Sequence, residues 1–503
     1  MTLRPHTDQD YHRLTVFIIA AALLFRVSIL AISPLGLHGD EAQYWAWSKA
    51  LDWGYFTKPP MIAWVIAATT SIFGDAEWAV RLSSAPIHAL TTYLVFRTGR
   101  ALFDTRSGFW AALIYGLMPA VWLSSQIVST DVTLLLFFVI ALNAWVHLRQ
   151  DGASWPRALQ LGLALGLGLL SKYAMLFFLP ALALCLVFDR PSRKGLVNLK
   201  GAAAAIIVGL LILPNVIWNI NHDFATLSHT ADNANLGKSI PFHPLEMLSF
   251  LRDQFGVFGP VSFAVYMAAL VAGLSGRLGE KAKWLALFGA SPLLIITFQG
   301  LLSRANANWA VTSYIAGALL TAHAGVTYWP RARKLIAMGL AVQSFIAAIL
   351  LSALTLPTLV NDLGLANSVK RLREWPATVS YLEQVIAKGH EGNAFETVAI
   401  DKRIIFYDLK YYGLEETLPL RMWMLQASPQ NHAELKAPLK AAGGPVLIVQ
   451  YDENHHVPLK EDFSRLDPLP QLNIDLGGGK RRQLNLWAGY GYVPTRKDRR
   501  AAR

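Results

Sequence analysis

Long apolar runs, recurring along most of the chain and separated by short loops, limit what this sequence can fold into more than any other feature. A helix that crosses a bilayer needs about 20 mainly apolar residues. Runs of roughly that kind lie at 14–32, 78–96, 107–123, 131–147, 157–171, 173–188, 201–218, 256–274, 284–301, 309–328 and 335–357. In hydrocarbon each backbone polar group must be satisfied within its own segment, so such runs predict an all-α polytopic protein with about 11 transmembrane helices. Composition agrees. Only 16% of the 503 residues are charged, against about 25% in a soluble domain. The first run has no small-residue cleavage site behind it and reads as a retained span, not a signal peptide.

The net charge of +12 would suit nucleic acid if it were spread over one face. Instead the basic residues cluster in every second loop, at Arg97/Arg100/Arg106, Arg149/Arg157, Arg190/Arg193/Lys194/Lys200, Arg277/Lys281/Lys283 and Arg331/Arg333/Lys334. Such clusters mark cytoplasmic loops. The reading is therefore a multi-pass membrane protein with no nucleic-acid partner. The outer loops are then 33–77, 124–130, the turn near 172, 219–255, 302–308 and everything after 358. This alternation requires that 61–73, only 13 residues long, be re-entrant or interfacial. The basic tail Arg496–Arg503 runs against the rule, but charge far from a span constrains topology weakly. The lone Cys185 excludes an intramolecular disulfide and a cysteine metal site.

Beyond residue 360 the composition changes to mixed charged and polar, with no further run of spanning length. Short strand-like segments at 397–400 and 445–450 alternate with a helical stretch at 369–388. The chain divides into a membrane domain, 1–360, and a soluble α/β domain, 361–503, on the outer side.

Polar groups of interest gather in the outer loops. In 41–53, Tyr44, Trp47 and Leu51 recur at helical spacing and predict an interfacial amphipathic helix. Asp40 and Glu41 precede it. Asp40 suits a helix cap, with Glu41 favouring the positive helix end; it equally suits a general base at a water–lipid boundary. Asp131, in Ser129-Thr130-Asp131, has the same two readings at the same face. Lys58, Lys172 and Arg304 stand on the outer side against the topological bias, either snorkelling to the interface or stabilising a departing phosphate. Arg26 lies within the first run, where a central charge costs roughly 2.5–3.5 kcal/mol. His222 and His229 read as polar loop residues or substrate contacts, since a spacing of seven is no metal signature. No phosphate-binding loop, dinucleotide fingerprint or zinc-helix motif is present.

Asp40-Glu41-Ala42-Gln43-Tyr44-Trp45, then Lys58-Pro59-Pro60, then Ser129-Thr130-Asp131 resemble, in that order, the motifs of glycosyltransferase family 39. That family includes the protein O-mannosyltransferases and the lipid A aminoarabinose transferases. The chain looks most similar to the alphaproteobacterial branch, with its rhizobial lipopolysaccharide galacturonosyltransferases. The resemblance implies a GT-C membrane fold in the bacterial inner membrane with the active site and residues 361–503 on the periplasmic side, a polyprenyl-phosphate-linked sugar donor and inversion at the anomeric carbon. It makes Asp40 the base, Asp131 a second catalytic-site acid, and Lys58 a phosphate contact; Glu41, next to Asp40, is a further catalytic candidate. Gln43, Tyr44 and Tyr55 then line the substrate site. Two departures matter: the aminoarabinose transferases carry arginine at the place of Gln43 and glutamate at the place of Thr57. Both argue for a different sugar, neutral or acidic. The implied acceptor is lipid A, lipopolysaccharide or protein. No cofactor is required, although an Asp-Glu pair could hold a divalent metal. The rival expectation is a transporter of lipid-linked sugar, whose polar groups would lie near the midplane in repeated, broken helices.

Overall fold

The computed structural model describes residues 7–233 and 242–494. Helices dominate as far as Ala353, and a small sheet follows near the C-terminus. Five helices among the described residues are individually long and apolar enough to cross a bilayer: Asp8–Ile32, Thr130–Asp151, Leu199–Asn221, Glu280–Leu302 and Pro330–Ala353. Two sharply bent pairs raise the number to seven if each pair counts as one span. By length and composition these are fewer than the roughly 11 spans expected from the apolar runs. The run at 107–123 is split into Thr105–Gly116 and Pro119–Ser124, and the run at 78–96 into Glu77–Arg81 and Ser84–Leu102. Pro119 and Pro260 each sit in the first turn of a new helix, where proline's missing N–H does no harm. Pro244–Phe258 and Pro260–Leu274 meet at 114° across Gly259. A hydropathy pattern reports burial in apolar surroundings, not the direction of the axis.

Burial separates the helices into a centre and a rim. In Thr130–Asp151, 72% of the apolar window is buried against protein. In Asp8–Ile32, Leu199–Asn221 and Pro330–Ala353 the share is 22%, 17% and 17%, leaving apolar faces for lipid. Helices Ser84–Leu102 and Thr105–Gly116 pack closely because their crossing carries two glycines. A Cβ on Gly99 would stand 2.7 Å from the Cα of Gly108. Met61–Phe73 is a 13-residue helix, about 20 Å long at 1.5 Å per residue. That falls short of a hydrocarbon core of about 30 Å.

After Ala353 the chain builds a five-stranded sheet: β1 (Thr397–Ile400), β2 (Leu420–Met422), β3 (Val446–Gln450), β4 (Phe463–Gly477) and β5 (Lys480–Tyr492). The order is β2-β1-β3-β5-β4. β1 pairs in parallel with β2 and β3, whereas β5 runs antiparallel to β3 and β4. β1 and β3 are buried throughout, as central strands covered on both faces should be. Helix Trp375–Lys388 coincides with most of the expected stretch, and the β4–β5 hairpin was not foreseen. Its register shifts between Leu469 and Leu472, next to Pro468 and Pro470, which interrupt a strand pattern.

Candidate active site

The loop between the first membrane helix and Met61–Phe73 folds around helix Gly39–Ser48. His38 caps this helix: its Nδ1 accepts from the N–H of Asp40 at 3.3 Å. Glu41 Oε2 accepts from the N–H of His38 at 3.0 Å and closes the capping box. The cap thus falls to His38, and the Asp40 side chain is left free of it.

Adjacent residues on a helix diverge by about 100°, and the two acids part accordingly. The Glu41 side chain is only 4% exposed and forms a two-pronged pair with Arg81, Nε to Oε1 at 2.9 Å and Nη2 to Oε2 at 2.6 Å. Val128 N–H donates to Oε1 at 3.0 Å. Arg81 also donates to the carbonyls of Leu35 and Gly36. Burial opposes ionisation of Glu41, but Arg81 and these N–H donors outweigh it and hold the carboxyl below the usual range. Glu41, expected beside Asp40 as a catalytic acid, has both oxygens engaged in the interior. The two acids therefore do not turn a shared set of oxygens toward a cation.

Asp40 faces the rim, with 44% of its side chain exposed. Its Oδ1 accepts from Arg403 Nη1 at 3.0 Å, and the same nitrogen donates to Gln43 Oε1. Gln43 is buried and steadies Arg403. Tyr44 is buried behind Asp40; desolvation, then the charge of Asp40, push its phenol above the ordinary value.

Lys58 is presented by a tight turn over Phe56 and Thr57: Tyr55 N–H donates to Lys58 O at 3.0 Å, and Lys58 N–H to Tyr55 O at 3.3 Å. Tyr55 anchors the turn. Its ring stacks on Trp47 at 4.4 Å, its hydroxyl donates to Trp47 O at 3.1 Å, and Asp52 N–H donates to that hydroxyl at 3.1 Å. Its place is structural, beneath the site rather than in it. Among the described residues the Lys58 ammonium has neither a hydrogen bond nor an ion pair. Burial, then the neighbouring Lys172, lower its pKa, against the pull of Asp131 and Asp40.

Asp131 opens helix Thr130–Asp151 and pairs with Lys172 Nζ at 2.6 Å. Lys172 sits at the C-terminal end of Trp155–Ser171, where a cation meets the negative helix end. Asn308 Nδ2 donates to Asp131 Oδ2 at 2.8 Å. Arg304 is exposed on the same connection as Asn308. His222 lies apart: it stacks on Trp218 at 4.1 Å and bonds that residue's carbonyl. The side chain of His229 lies outside the described residues, as does the basic tail.

Sequence patterns did not single out Arg403 or Arg81. Arg403 begins helix Arg403–Tyr411 directly after β1 and reaches Asp40 across 363 positions. This helix lies flat on Gly39–Ser48: a Cβ on Gly39 would stand 2.0 Å from Ile404 Cγ2. Tyr411 donates to Asp75 O at 2.6 Å, and Tyr412 to Glu77 Oε1 at 3.2 Å. His432 packs edge-on against Trp47 and Tyr55. His390, Glu391 and Asp467 are close enough to share a metal, but Arg465 already pairs with both carboxylates.

Asp40, Gln43, Arg403, Lys58, Asp131 and Lys172 thus form one electrostatic cluster at the mouth of the helices. The dolichyl-phosphate-mannose-protein mannosyltransferase model matches residues 57–218. Lipid A galacturonosyltransferase RgtD of Rhizobium johnstonii is 37% identical over 321 residues, 64% of this chain and 67% of that protein. The chain belongs to the GT-C membrane glycosyltransferases. Within this family, the undecaprenyl phosphate-alpha-4-amino-4-deoxy-L-arabinose arabinosyl transferase of Pseudomonas aeruginosa strain PAO1 is 29% identical over 210 residues, 38% of each chain. ArnT from Cupriavidus metallidurans, solved with undecaprenyl phosphate, superposes with a TM-score of 0.65 at 16% identity, covering 94% of this chain and 97% of that one. At that identity the likeness establishes the GT-C fold. The protein is a glycosyltransferase with several helices long and apolar enough to cross a membrane.

Proposed function

We propose that the protein transfers a uronosyl residue, in the manner of its galacturonosyltransferase relatives, from a polyprenyl phosphate to a hydroxyl of lipid A or the lipopolysaccharide core. The site faces the periplasm, and residues 361–503 form a periplasmic domain over it. The observation that carries this reading is the pairing of an accessible carboxylate, Asp40, with an unpaired and desolvated cation, Lys58, in one cluster.

Asp40 accepts the proton of the acceptor hydroxyl through its exposed oxygen. The acceptor oxygen bonds to the anomeric carbon as the bond from that carbon to the phosphate oxygen breaks. The electron pair leaves with the polyprenyl phosphate, and Asp40 ends protonated. Attack opposite the leaving group inverts the anomeric centre. Lys58 neutralises the charge growing on the phosphate, where desolvation makes it worth more than in water. Lys172 shares its charge with Asp131, so its first role is to hold that acid, and Arg304 adds positive charge at the exposed rim. Glu41 and Arg81 position the helix that carries Asp40.

Purified protein in proteoliposomes, given polyprenyl-phosphate-linked galacturonic acid and lipid A, is expected to yield galacturonosylated lipid A by mass spectrometry. Asp40→Asn should lower the rate by about 10²–10⁴-fold, the usual share of a general base. Full activity of Asp40→Asn would refute the assignment. Transfer to a serine- or threonine-bearing peptide but not to lipid A would place the protein with the protein O-glycosyltransferases instead.

A further inference from the structure

We infer that Arg403 forms a carboxylate-binding subsite that reads the acidic group of the transferred sugar. This rests on the uronosyl-transfer reading above and gives its specificity a residue.

Among the described residues the hydrogen bonds of Arg403 all leave from one atom, Nη1, toward Asp40 and Gln43. Its Nε and Nη2 have no hydrogen-bond partner, and 27% of the side chain remains exposed. A guanidinium offers five N–H donors in a rigid plane, and the Nε–Nη2 edge carries two parallel ones matched to a carboxylate. That edge is unused. The Nη1 bonds fix the plane, so the edge is pre-oriented and little side-chain freedom is lost when an anion arrives. The orientation is built twice over, since Gln43 is buried and β1 delivers Arg403 as the first residue of its helix.

The charges assign the two anions of a uronosyl donor to different places. Lys58 is the cation without an ion pair, presented by the turn before Pro59 and Pro60, and suits the phosphate as a compact point charge. Arg403 stands at the base itself, bonded to Asp40. A group it holds lies on the sugar being transferred, close to the reacting carbon. An uncharged hexose would leave the fork facing nothing but water, whereas a hexuronic acid completes a bidentate pair, roughly twice as strong as a neutral hydrogen bond.

The test compares two donors on one reconstituted enzyme: polyprenyl-phosphate-linked galacturonic acid and its galactose counterpart, identical except at the carboxyl carbon. Wild type is expected to prefer the acid by about 100-fold in kcat/KM, near 2.8 kcal/mol at about 1.4 kcal/mol per tenfold. Arg403→Gln should erase most of that preference, chiefly by raising KM for the acidic donor. Arg403→Lys, which keeps a cation beside Asp40 but loses the fork, should keep only a few-fold preference for the acid, whatever its turnover. An equal fall for both donors in Arg403→Gln, with the preference intact, would overturn the inference and leave Arg403 as a positioning residue for Asp40. Equal use of both donors by wild type would overturn it while the glycosyltransferase reading stood. Transfer of neither donor would remove the premise as well.

Discussion

Lys58 shows how one desolvated side chain sets a pH dependence. It must carry a proton to meet a phosphate, yet burial and Lys172 make that proton easier to lose. The basic limb of the pH–rate profile should therefore begin below the ordinary lysine value of about 10.4. Lys58→Arg should move that limb upward, because a guanidinium stays charged above about pH 12. Lys58→Ala should lower kcat by about 10²–10³-fold, the typical effect of removing one preorganised electrostatic partner. The same shift has a stability sign. Between the lowered folded value and about 10.4 the unfolded chain binds the extra proton, so folding stability rises with pH across that window. Stopped assays over pH 6–11 on wild type and Lys58→Arg check the first claim, and an unchanged basic limb would reject it. Of these residues, Asp40, Lys58 and Asp131 are legible in sequence because each stands in a short motif. Arg403 is not. Nothing in Asp401-Lys402-Arg403-Ile404 marks the arginine, since its meaning comes from a contact 363 positions away.

Helix Gly39–Ser48 gives two neighbouring acids opposite fates. One turns to the rim, and the other is sealed against Arg81 with both side chains 4% exposed. Removing one partner of a buried pair strands a charge and costs about 3–5 kcal/mol. Glu41→Ala is thus expected to lower thermal stability in detergent sharply, and Arg81→Ala similarly. The double variant should recover part of the loss, because no charge is then left alone. Additive losses would argue against the pair. The Glu41 carboxyl is held below its usual range. Its contribution is therefore full above about pH 4.3 and disappears as pH falls through the lowered folded value. Sequence periodicity located this helix from its aromatics. The pairing of Glu41 with Arg81 was not legible there, because adjacent acids look alike until the partner on each side is known. Arg81 fell inside a run read as a continuous span, and only the break after it reveals a polar junction.

At the scale of the whole molecule, apolar runs and basic loops conveyed a helical membrane body followed by a sheet. They did not convey where helices bend or how the sheet meets the loop. Both depend on packing between distant segments, to which local hydropathy is blind. Orientation is open to a direct check. Cys185 is the one native cysteine and is buried, so background labelling should be low. With the proposed orientation, Ser428→Cys in whole cells should react with a membrane-impermeant maleimide. Arg277→Cys should react only after permeabilisation. Both positions are exposed, and the reverse pattern would invert the topology.

The ion pair between Asp40 and Arg403 also bears on when the enzyme becomes itself. Its halves lie 363 residues apart in the chain. At about 5–20 residues per second, the ribosome needs roughly 20–70 s to travel from one to the other. Through that interval the membrane helices and the loop carrying Asp40 and Lys58 can insert and pack around Asp131, but the constellation lacks Arg403. A nascent chain that has not reached Arg403 would occupy the membrane without the arginine that completes the site, so maturation of the site waits for the synthesis of Arg403 and the docking of the helix that carries it.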